Sequence, residues 1–333
     1  MTAKTPAPRA RILGTGRYVP STILTNAEIE SRVATTDGWI RQHTGIERRH
    51  IAAPGEVTSD MAVAAGRAAI EGAGLTVADL DMIILATVSG DSPMPATAVH
   101  VQQKLGADLI PSFDVAASFA GFLYAVTIAE QFIAGGTCKT ILVIGADILS
   151  RQVDPTDRLG LSLFGDGAGA VVIGPADGDG RGILSTKIHA DGTLARLLEI
   201  PAGGSAEPLD ADRLTRRRNT IKMEGKELAA ITVRHLTSYS MQALKAAGLT
   251  SAELDWVVPH QANENIVDKI SQRLGYSRKK FVENVAEYGN TSSASIPIAL
   301  DEAVRDGRIK PGQTVLMCAL GAGLAWGAAI VRM

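Results

Sequence analysis

Short apolar runs alternate with longer segments of helical periodicity along most of the chain. The apolar runs predict strands at Met82–Ala86 and Thr140–Ile144, and another that ends near Val115. Apolar residues three and four positions apart predict helices over Ser59–Gly72 and around Ala98–Leu105. Strands that alternate with helices in this way indicate sheets covered by helices, so the pattern predicts an α/β protein.

The segment Ser112–Phe122 joins an apolar strand to an amphipathic helix that starts at about Phe119 and runs toward Ala134. A strand-to-helix elbow of this kind holds a side chain at the positive end of a helix, where a thiol or hydroxyl becomes a better nucleophile. The turn offers Ser118 and Phe119 and contains no cysteine. We expect Ser118 to be the N-cap of the helix, because serine is strongly preferred there and a serine nucleophile would also need a base within reach.

The later half of the chain repeats the earlier half at one offset of 174 residues. The offset carries three segments onto three others without a gap: Ala73–Ile84 onto Ala247–Val258, Ser118–Ala120 onto Ser292–Ala294, and Thr140–Ile144 onto Thr314–Cys318. The period is too long for a solenoid and predicts duplicated α/β half-domains, 1–180 and 181–333, with a boundary turn at Gly178–Arg181. The two elbows should then face each other across a pseudo-twofold axis.

Glycine-rich segments mark three further places in the chain. Gly14 and Gly16 lack the rest of a dinucleotide fingerprint and predict a tight turn after a strand. Phe164–Ala170 is not a P-loop, because no Lys-Ser/Thr follows it, and we expect a tight turn there that lies under the active site. Leu320–Gly327 predicts a strand–turn–strand whose small residues let backbone N–H groups approach a ligand, as in an oxyanion hole.

Composition and charge exclude several classes of function. The 333 residues are 46% apolar and 20% charged with a net charge of −2, which gives no indication of binding to nucleic acid or a membrane. Residues 1–9 lack the apolar core of a signal peptide, and no apolar run reaches the length of a membrane span. Two cysteines and six histidines without metal spacing favour the cytoplasm and no metal site.

Two polar residues near the elbows are candidates for catalysis. His260 follows an apolar strand and precedes a helical segment, and Asn290 lies in a glycine-containing turn at the second elbow. A lone histidine at such a position is as often structural as catalytic. Because the repeat brings the elbows together, His260, Asn290 and the first elbow are expected to share one pocket.

The elbow and five further motifs together resemble β-ketoacyl-acyl carrier protein synthase III over nearly the whole chain. The motifs are Asp154–Arg158, Phe164–Ala170, Pro259–Asn263, Gly289–Ser293 and Leu320–Gly327. The resemblance implies a thiolase fold with helix–sheet–helix–sheet–helix layers, usually as a cytoplasmic homodimer. It also implies condensation of an acyl-CoA primer with malonyl-acyl carrier protein, with loss of CO2, to start fatty-acid or polyketide synthesis. CoA thioester is then a substrate, and no cofactor is required.

The resemblance also assigns roles to single residues. The family uses a Cys–His–Asn triad in which the cysteine takes the acyl group while histidine and asparagine stabilise the enolate, and His260 and Asn290 match the last two members. Trp39 and Arg158 match the pair that sandwiches the CoA adenine, and Thr35 matches another CoA contact. Ala322 stands at the oxyanion-hole glycine, where a backbone N–H is retained.

Several positions depart from the family pattern. Phe119 stands at the position of the nucleophilic cysteine, as a natural or an engineered replacement. His43 replaces an arginine near the CoA phosphate. Met94 replaces an aromatic residue that reaches into the partner's acyl tunnel, and Leu320 and Leu324 replace phenylalanines beside the site. Basic carrier-docking positions are occupied by Ala229, Asn265 and Gln272, with Arg273, Lys279 and Lys280 nearby.

Three functions are compatible with these residues. The first is a synthase III-type acyltransferase that is condensation-deficient because of Phe119. The second is a malonyl-thioester decarboxylase that uses His260, Asn290 and an oxyanion hole. The third is a non-catalytic subunit that pairs with an active, cysteine-bearing paralogue and shapes its tunnel through the Met94 loop.

Overall fold

The computed structural model describes residues 9–333 and contains thirteen β-strands and eleven α-helices there. The strands are β1 Ala10–Tyr18, β2 Thr22–Thr25, β3 Arg48–Ile51, β4 Met82–Ala86, β5 Ser112–Val115, β6 Ile141–Ile148, β7 Asp166–Pro175, β8 Gly182–Ala190, β9 Leu198–Glu199, β10 Lys222–Met223, β11 Trp256–Pro259, β12 Thr314–Gly321 and β13 Ala325–Arg332. The helices are α1 Asn26–Glu30, α2 Asp37–Thr44, α3 Thr58–Gly72, α4 Thr97–Leu105, α5 Gly121–Ala134, α6 Arg158–Leu163, α7 Ala211–Thr215, α8 Gly225–Ala246, α9 Glu264–Leu274, α10 Val285–Tyr288 and α11 Ser295–Arg305.

Two mixed sheets form the centre of the molecule. One sheet has the order β1-β7-β6-β4-β5 and the other has the order β11-β12-β13-β8. In each sheet a parallel pair, β4 with β6 or β11 with β12, continues into antiparallel pairs. The hairpin β2-β3 and the short pair β9-β10 lie outside these sheets.

Helices cover both sheets and fill the space between them. Helix α3 packs on β1, β6 and β7, and helix α8 packs on β8, β12 and β13. Helices α5 and α11 lie between the sheets, within an apolar core that includes residues of β4, β6, β11 and β12. These contacts give the five alternating layers expected of the thiolase fold.

Equivalent elements recur at the predicted offset. Short 3-10 helices at Ser118–Ala120 and Ser292–Ala294 precede α5 and α11. The first residue of each has a left-handed backbone conformation, with φ 48° at Ser118 and 56° at Ser292. Asp81 accepts a hydrogen bond from the N–H of Thr140 at 2.9 Å, and its repeat mate Asp255 accepts one from Thr314 at 2.8 Å. The prediction of duplicated α/β halves is therefore confirmed, whereas the boundary at residue 180 stays a prediction.

The predicted role of Ser118 as a helix N-cap is wrong. Helix α5 begins at Gly121, its N-cap is Ala120, and no side-chain hydrogen bond caps it within the described part of the chain. The intervening 3-10 turn places Ser118 one turn too early, in a left-handed conformation. Similarly, α3 begins at Thr58 rather than at Ser59.

Neither glycine-rich segment is the predicted tight turn. Gly14 and Gly16 lie inside β1, where a Cβ atom would be 2.3 Å from the backbone nitrogen of Ala73 or Ala69. Glycine is needed at both positions because the backbone of α3 crosses the strand too closely to leave room for a Cβ atom. Phe164–Ala170 leads into β7, a buried central strand. In both segments, close packing rather than a turn explains the glycines.

The described residues include no helix that is long and apolar enough to cross a membrane. Residues 1–8, which belong to the segment without a signal-peptide core, lie outside the described residues. No group of three or more His, Cys, Asp or Glu side chains suited to a metal ion occurs among residues 9–333.

Candidate active site

His260 lies directly after β11, at the carboxyl end of a strand in the second sheet. Its backbone N–H donates to the carbonyl of Cys318 in β12 at 2.8 Å, and this bond fixes the position of the His260 backbone in the sheet. The side chain is 3% exposed, and burial lowers the pKa of its imidazole to about 3. The ring is therefore neutral at pH 7.

The two ring nitrogens of His260 have different surroundings. Nδ1 lies 2.6 Å from Oγ of Ser295, the first residue of α11. Nε2 is buried and has no hydrogen-bond partner in the part of the chain that is described. A buried polar atom without a partner costs about 1–3 kcal/mol, so its retention points to a group that binds there.

The ring of Phe119 covers His260. The two rings are stacked with 4.8 Å between centroids and 25° between planes, and Phe164 lies beside them at 6.2 Å from Phe119. The backbone of Phe119 touches the other half of the molecule, because a Cβ on Gly321 would lie 2.6 Å from its nitrogen. The first elbow and the histidine of the second half are thus in direct contact.

Asn290 is fixed in the second elbow by side-chain and backbone hydrogen bonds. Its Oδ1 accepts from the N–H of Ser292 at 2.9 Å, and its backbone pairs with Leu163 at 2.9 Å and Gly165 at 3.0 Å. The residue is 1% exposed. Because the side-chain oxygen already accepts this hydrogen bond, the NH2 group is the end of the amide that can bond to a ligand, and it does so as a donor.

A cavity of about 210 Å³ lies beside Phe119. Its walls are mainly apolar, and Ala322 and Ser118 contribute to them with Val88, Leu149, Gln152, Leu198, Glu199, Ile200 and Ile221. Leu320 and Leu324 are buried in the same apolar cluster as Phe119. The candidate site therefore opens into a small apolar space next to the turn that carries Ala322.

Trp39 and Arg158 are in contact on helices α2 and α6. The guanidinium carbon of Arg158 lies 4.0 Å from the centroid of the indole ring. His43 also stacks on Trp39, at 4.2 Å and 20°, and its Nδ1 lies 2.8 Å from the Trp39 carbonyl oxygen one helical turn earlier. The hydroxyl of Thr35 is buried without a partner among residues 9–333. We call Trp39 and Arg158 the clamp pair.

Comparison with known proteins gives the same family for both halves of the chain. The family described as 3-oxoacyl-[acyl-carrier-protein (ACP)] synthase III matches residues 113–192, and its C-terminal counterpart matches residues 244–333. A beta-ketoacyl-[acyl-carrier-protein] synthase III of Rhodospirillum rubrum is 48% identical over 330 residues, which are 98% of this chain and 99% of that protein. The relative from Vibrio vulnificus is also 48% identical, over 97% of this chain and 99% of its own.

The chain belongs to the 3-oxoacyl-[acyl-carrier-protein] synthase III family. The crystal structure of the synthase III from Aquifex aeolicus superposes with a TM-score of 0.90 at 41% identity, over 97% of this chain and 100% of that one. The priming β-ketosynthase of the R1128 polyketide pathway gives a TM-score of 0.89 at 34% identity, over 100% and 99%. The thiolase fold is thereby confirmed.

Against this synthase III fold, the predicted site residues fall into three places. Phe119, His260, Asn290, Ala322, Leu320 and Leu324 lie at or next to the elbows. Thr35, Trp39, His43 and Arg158 lie on or beside α2 and at the start of α6. Met94 is 85% exposed and does not line the cavity beside Phe119.

Sequence reasoning missed two polar residues that hold the candidate site in place. Ser295 contacts the imidazole of His260, and the buried carboxylate of Asp147 accepts from Ser293 Oγ at 2.7 Å. The run of small polar residues after Asn290 is the available signal, because polar side chains at the start of a buried helix need partners. The position of Asp147 at the end of a strand gave no comparable signal.

Proposed function

We propose that this chain binds acyl and malonyl thioesters at the elbow site and decarboxylates a malonyl thioester without completing the condensation. The proposal rests on one observation: among residues 9–333, Nε2 of His260 is buried without a partner behind the ring of Phe119, and Phe119 itself lines the cavity. Neither His260 nor Asn290 is among the residues that line this cavity. The names of the relatives support a carrier-bound substrate and acyltransferase chemistry.

The missing step follows from the side chain at the first elbow. Phe119 precedes α5 at the place where the family resemblance puts the cysteine, and its pseudosymmetry mate is Ser293 in the second elbow. A phenyl ring has no atom that can attack a thioester. Acyl transfer to the protein, which must precede condensation, is therefore absent from the proposed function.

Decarboxylation needs no nucleophile on the protein. When the bond between the methylene carbon and the carboxylate breaks, its electron pair moves into the thioester carbonyl, CO2 leaves, and an enolate oxyanion forms. The proposal takes Nδ1 as the acceptor in its contact with the Ser295 hydroxyl, which assigns the proton of the neutral His260 ring to Nε2, and Asn290 offers its NH2 group. Both can donate to the enolate oxygen, and the enolate carbon then takes a proton from water to give an acetyl thioester.

The clamp pair is the proposed site for the adenine of CoA. At 4.0 Å the pair is in van der Waals contact. An aromatic ring placed between them needs about 7 Å, two contacts of about 3.5 Å each. We therefore expect Arg158, which is an exposed side chain, to move when a CoA thioester binds.

The decisive experiment measures CO2 release from malonyl-CoA and from malonyl-acyl carrier protein. The unaltered chain should release CO2, and His260→Ala should lower the rate by about 100-fold, a typical effect of removing one oxyanion donor. Release that does not depend on His260, or no release, would contradict the proposal. Thermal unfolding of the variant shows whether the loss merely reflects unfolding.

Replacement of Phe119 tests the same site by a gain of activity rather than a loss. We expect Phe119→Cys to become acylated by acyl-CoA and then to condense with malonyl-acyl carrier protein, because the thiol would lie beside a helix N-terminus and His260. Intact-protein mass spectrometry detects the acyl group, and Phe119→Ala controls for the simple removal of the ring. A cysteine variant that remains unacylated would show that the other departures have also dismantled the site.

For assembly, we propose a homodimer. Strand β5 is one of the two edge strands of its sheet among the described residues, and Met94 is 85% exposed. A heterodimer with a cysteine-bearing paralogue is the second candidate, favoured by the exposed Met94 together with Phe119. Sedimentation of the purified chain and co-purification from its native source distinguish the two.

A further inference from the structure

Arg49 in β3 is a buried cation held by neutral acceptors. The residue is 0% exposed, and burial lowers the pKa of its guanidinium to about 10, so it remains charged at neutral pH. Nη1 donates to Asn26 Oδ1 at 2.6 Å and Nη2 donates to the carbonyl of Ser162 in α6. Within residues 9–333, no carboxylate forms a salt bridge with it. An unpaired buried charge is expensive, so a structural need must maintain it.

Asn26 connects this cation to helix α2. While its Oδ1 accepts from Arg49, its Nδ2 donates to Asp37 Oδ1 at 2.7 Å and to the carbonyl of Ile46 at 3.0 Å. Asp37 is the first residue of α2, and the hydrogen bond from Asn26 is the main cause that lowers the pKa of its carboxyl. The positive charge of Arg49 is thus linked to the negative charge of Asp37 through one buried amide.

This network joins the two helices that carry the clamp pair. Trp39 lies two residues after Asp37 in α2, and Arg158 is the first residue of α6, whose Ser162 accepts from Arg49. The apolar cluster around α2 is small: within the described chain its buried residues are Leu24, Ile29 and Ile40, and Trp39 and Leu161 of α6 are among the partly buried residues that pack against them. Charge-assisted hydrogen bonds therefore make a large contribution to the relative position of α2 and α6.

We propose that Arg49 and Asn26 are positioning residues that set the spacing of Trp39 and Arg158 and so favour thioesters that carry an adenine nucleotide over those that do not. The inference rests on the proposed function, because it takes the clamp pair as the adenine site. The network touches neither the cavity beside Phe119 nor His260. Arg49 itself packs against Gly165 and Gly289 beside Asn290, so the test substitutes Asn26 and Asp37 instead. Through these two residues the network should act on the nucleotide end of a substrate and leave the thioester end unchanged.

The test compares the binding of acetyl-CoA with that of S-acetyl-pantetheine, which lacks the nucleotide. We expect Asn26→Ala to weaken acetyl-CoA binding about tenfold or more, because it removes two charge-assisted hydrogen bonds, from Arg49 and to Asp37, and to change pantetheine binding less than about twofold. Asp37→Ala, which changes a half-exposed residue, should have the same selective effect. The matched control is Arg41→Ala, which removes the other partner of Asp37 on the same helix and leaves the bond from Asn26 intact.

The outcomes separate the inference from the proposed function. Equal losses for both thioesters, no loss in either variant, or the same selective loss in Arg41→Ala would overturn the inference. Failure of the unaltered chain to bind acetyl-CoA more tightly than S-acetyl-pantetheine would contradict the adenine site itself, and the inference with it. A selective loss in both variants but not in the control would support both.

Discussion

At the residue scale, burial determines both the protonation and the contacts of His260. The Ser295 hydroxyl contacts Nδ1 at the edge of the ring, and Phe119 stacks on its face. The pKa of the imidazole is about 3. A neutral imidazole in an apolar surrounding is a good hydrogen-bond donor to a developing oxyanion. The same burial has a cost in stability that can be measured.

We expect the stabilising contribution of His260 to fall as the pH is lowered. The folded pKa of about 3 lies below the ordinary value of 6.5, so between these values the unfolded chain binds the proton and the folded chain does not. The free energy of unfolding should then decrease by up to about 1.4 kcal/mol per pH unit from pH 6.5 toward pH 3.

Urea unfolding of the unaltered chain and of His260→Gln, followed from pH 7 to pH 4, measures this contribution. The free energy of unfolding of the unaltered chain should fall more steeply with decreasing pH than that of the variant, because glutamine does not titrate. A difference that is constant over this range would show that His260 is protonated as readily in the folded protein as in the unfolded one.

At the element scale, close approach of backbones decides which residues the strands and elbows tolerate. Ser118 and Ser292 adopt the same left-handed conformation at equivalent positions of the two halves, although neither is a glycine. Such a conformation costs about 1–3 kcal/mol and persists only where the surrounding structure imposes it. In β1 the constraint comes from α3, whose backbone reaches the strand at Gly14 and Gly16.

Gly14→Ala should destabilise the protein by about 3 kcal/mol, because the added methyl must displace the backbone of α3 rather than a side chain. Gly192→Ala is the control: no atom of the described residues lies within 4 Å of the added Cβ, so its effect should stay within about 0.5 kcal/mol. Thermal or urea unfolding gives both values. Equal stabilities would mean that α3 can move away from β1 at little cost.

At the scale of the whole molecule, the buried carboxylate of Asp147 joins the two halves. Its Oδ1 accepts from Thr87 Oγ1 at 3.0 Å, the Val88 N–H at 2.8 Å and Ser89 Oγ at 2.7 Å, and its Oδ2 accepts from Ser293 Oγ at 2.7 Å. The first three donors belong to the loop after β4, and Ser293 belongs to the elbow that carries Asn290. One carboxylate thus fixes the second elbow on the first half.

Asp147→Ala should cost about 3 kcal/mol or more, because several buried donors lose their acceptor. It should also lower CO2 release, since the elbow of Asn290 would no longer be held. Asp166→Ala is the matched control: Asp166 is equally buried but bonds only to Ala52 and Ser150 of the first half. If the two variants lose stability and CO2 release in the same proportion, Asp147 has no specific role at the elbow.

The sequence by itself determined the class of fold and the repeat. Apolar periodicity is a local property, so β4 and the hairpin β12–β13 were predictable, and the constant offset of 174 residues required two similar halves. The resemblance of short motifs also indicated the neighbourhood of Phe119, His260 and Asn290. The predictions of fold class and repeat succeeded because they depend on residues close in sequence or on a pattern repeated in it, whereas the catalytic roles of these site residues stay predictions.

Only the tertiary structure decided the contacts between distant segments. Ser295 against His260, Asn26 between Arg49 and Asp37, and the backbone of α3 against Gly14 each join residues that no local pattern connects. The wrong prediction of Ser118 as the N-cap has the same origin, because a 3-10 turn occupies Ser118–Ala120 and α5 begins only at Gly121. Hydrogen bonds and close approaches depend on distances of a few tenths of an ångström, which the packing of the layers sets and the order of residues does not display.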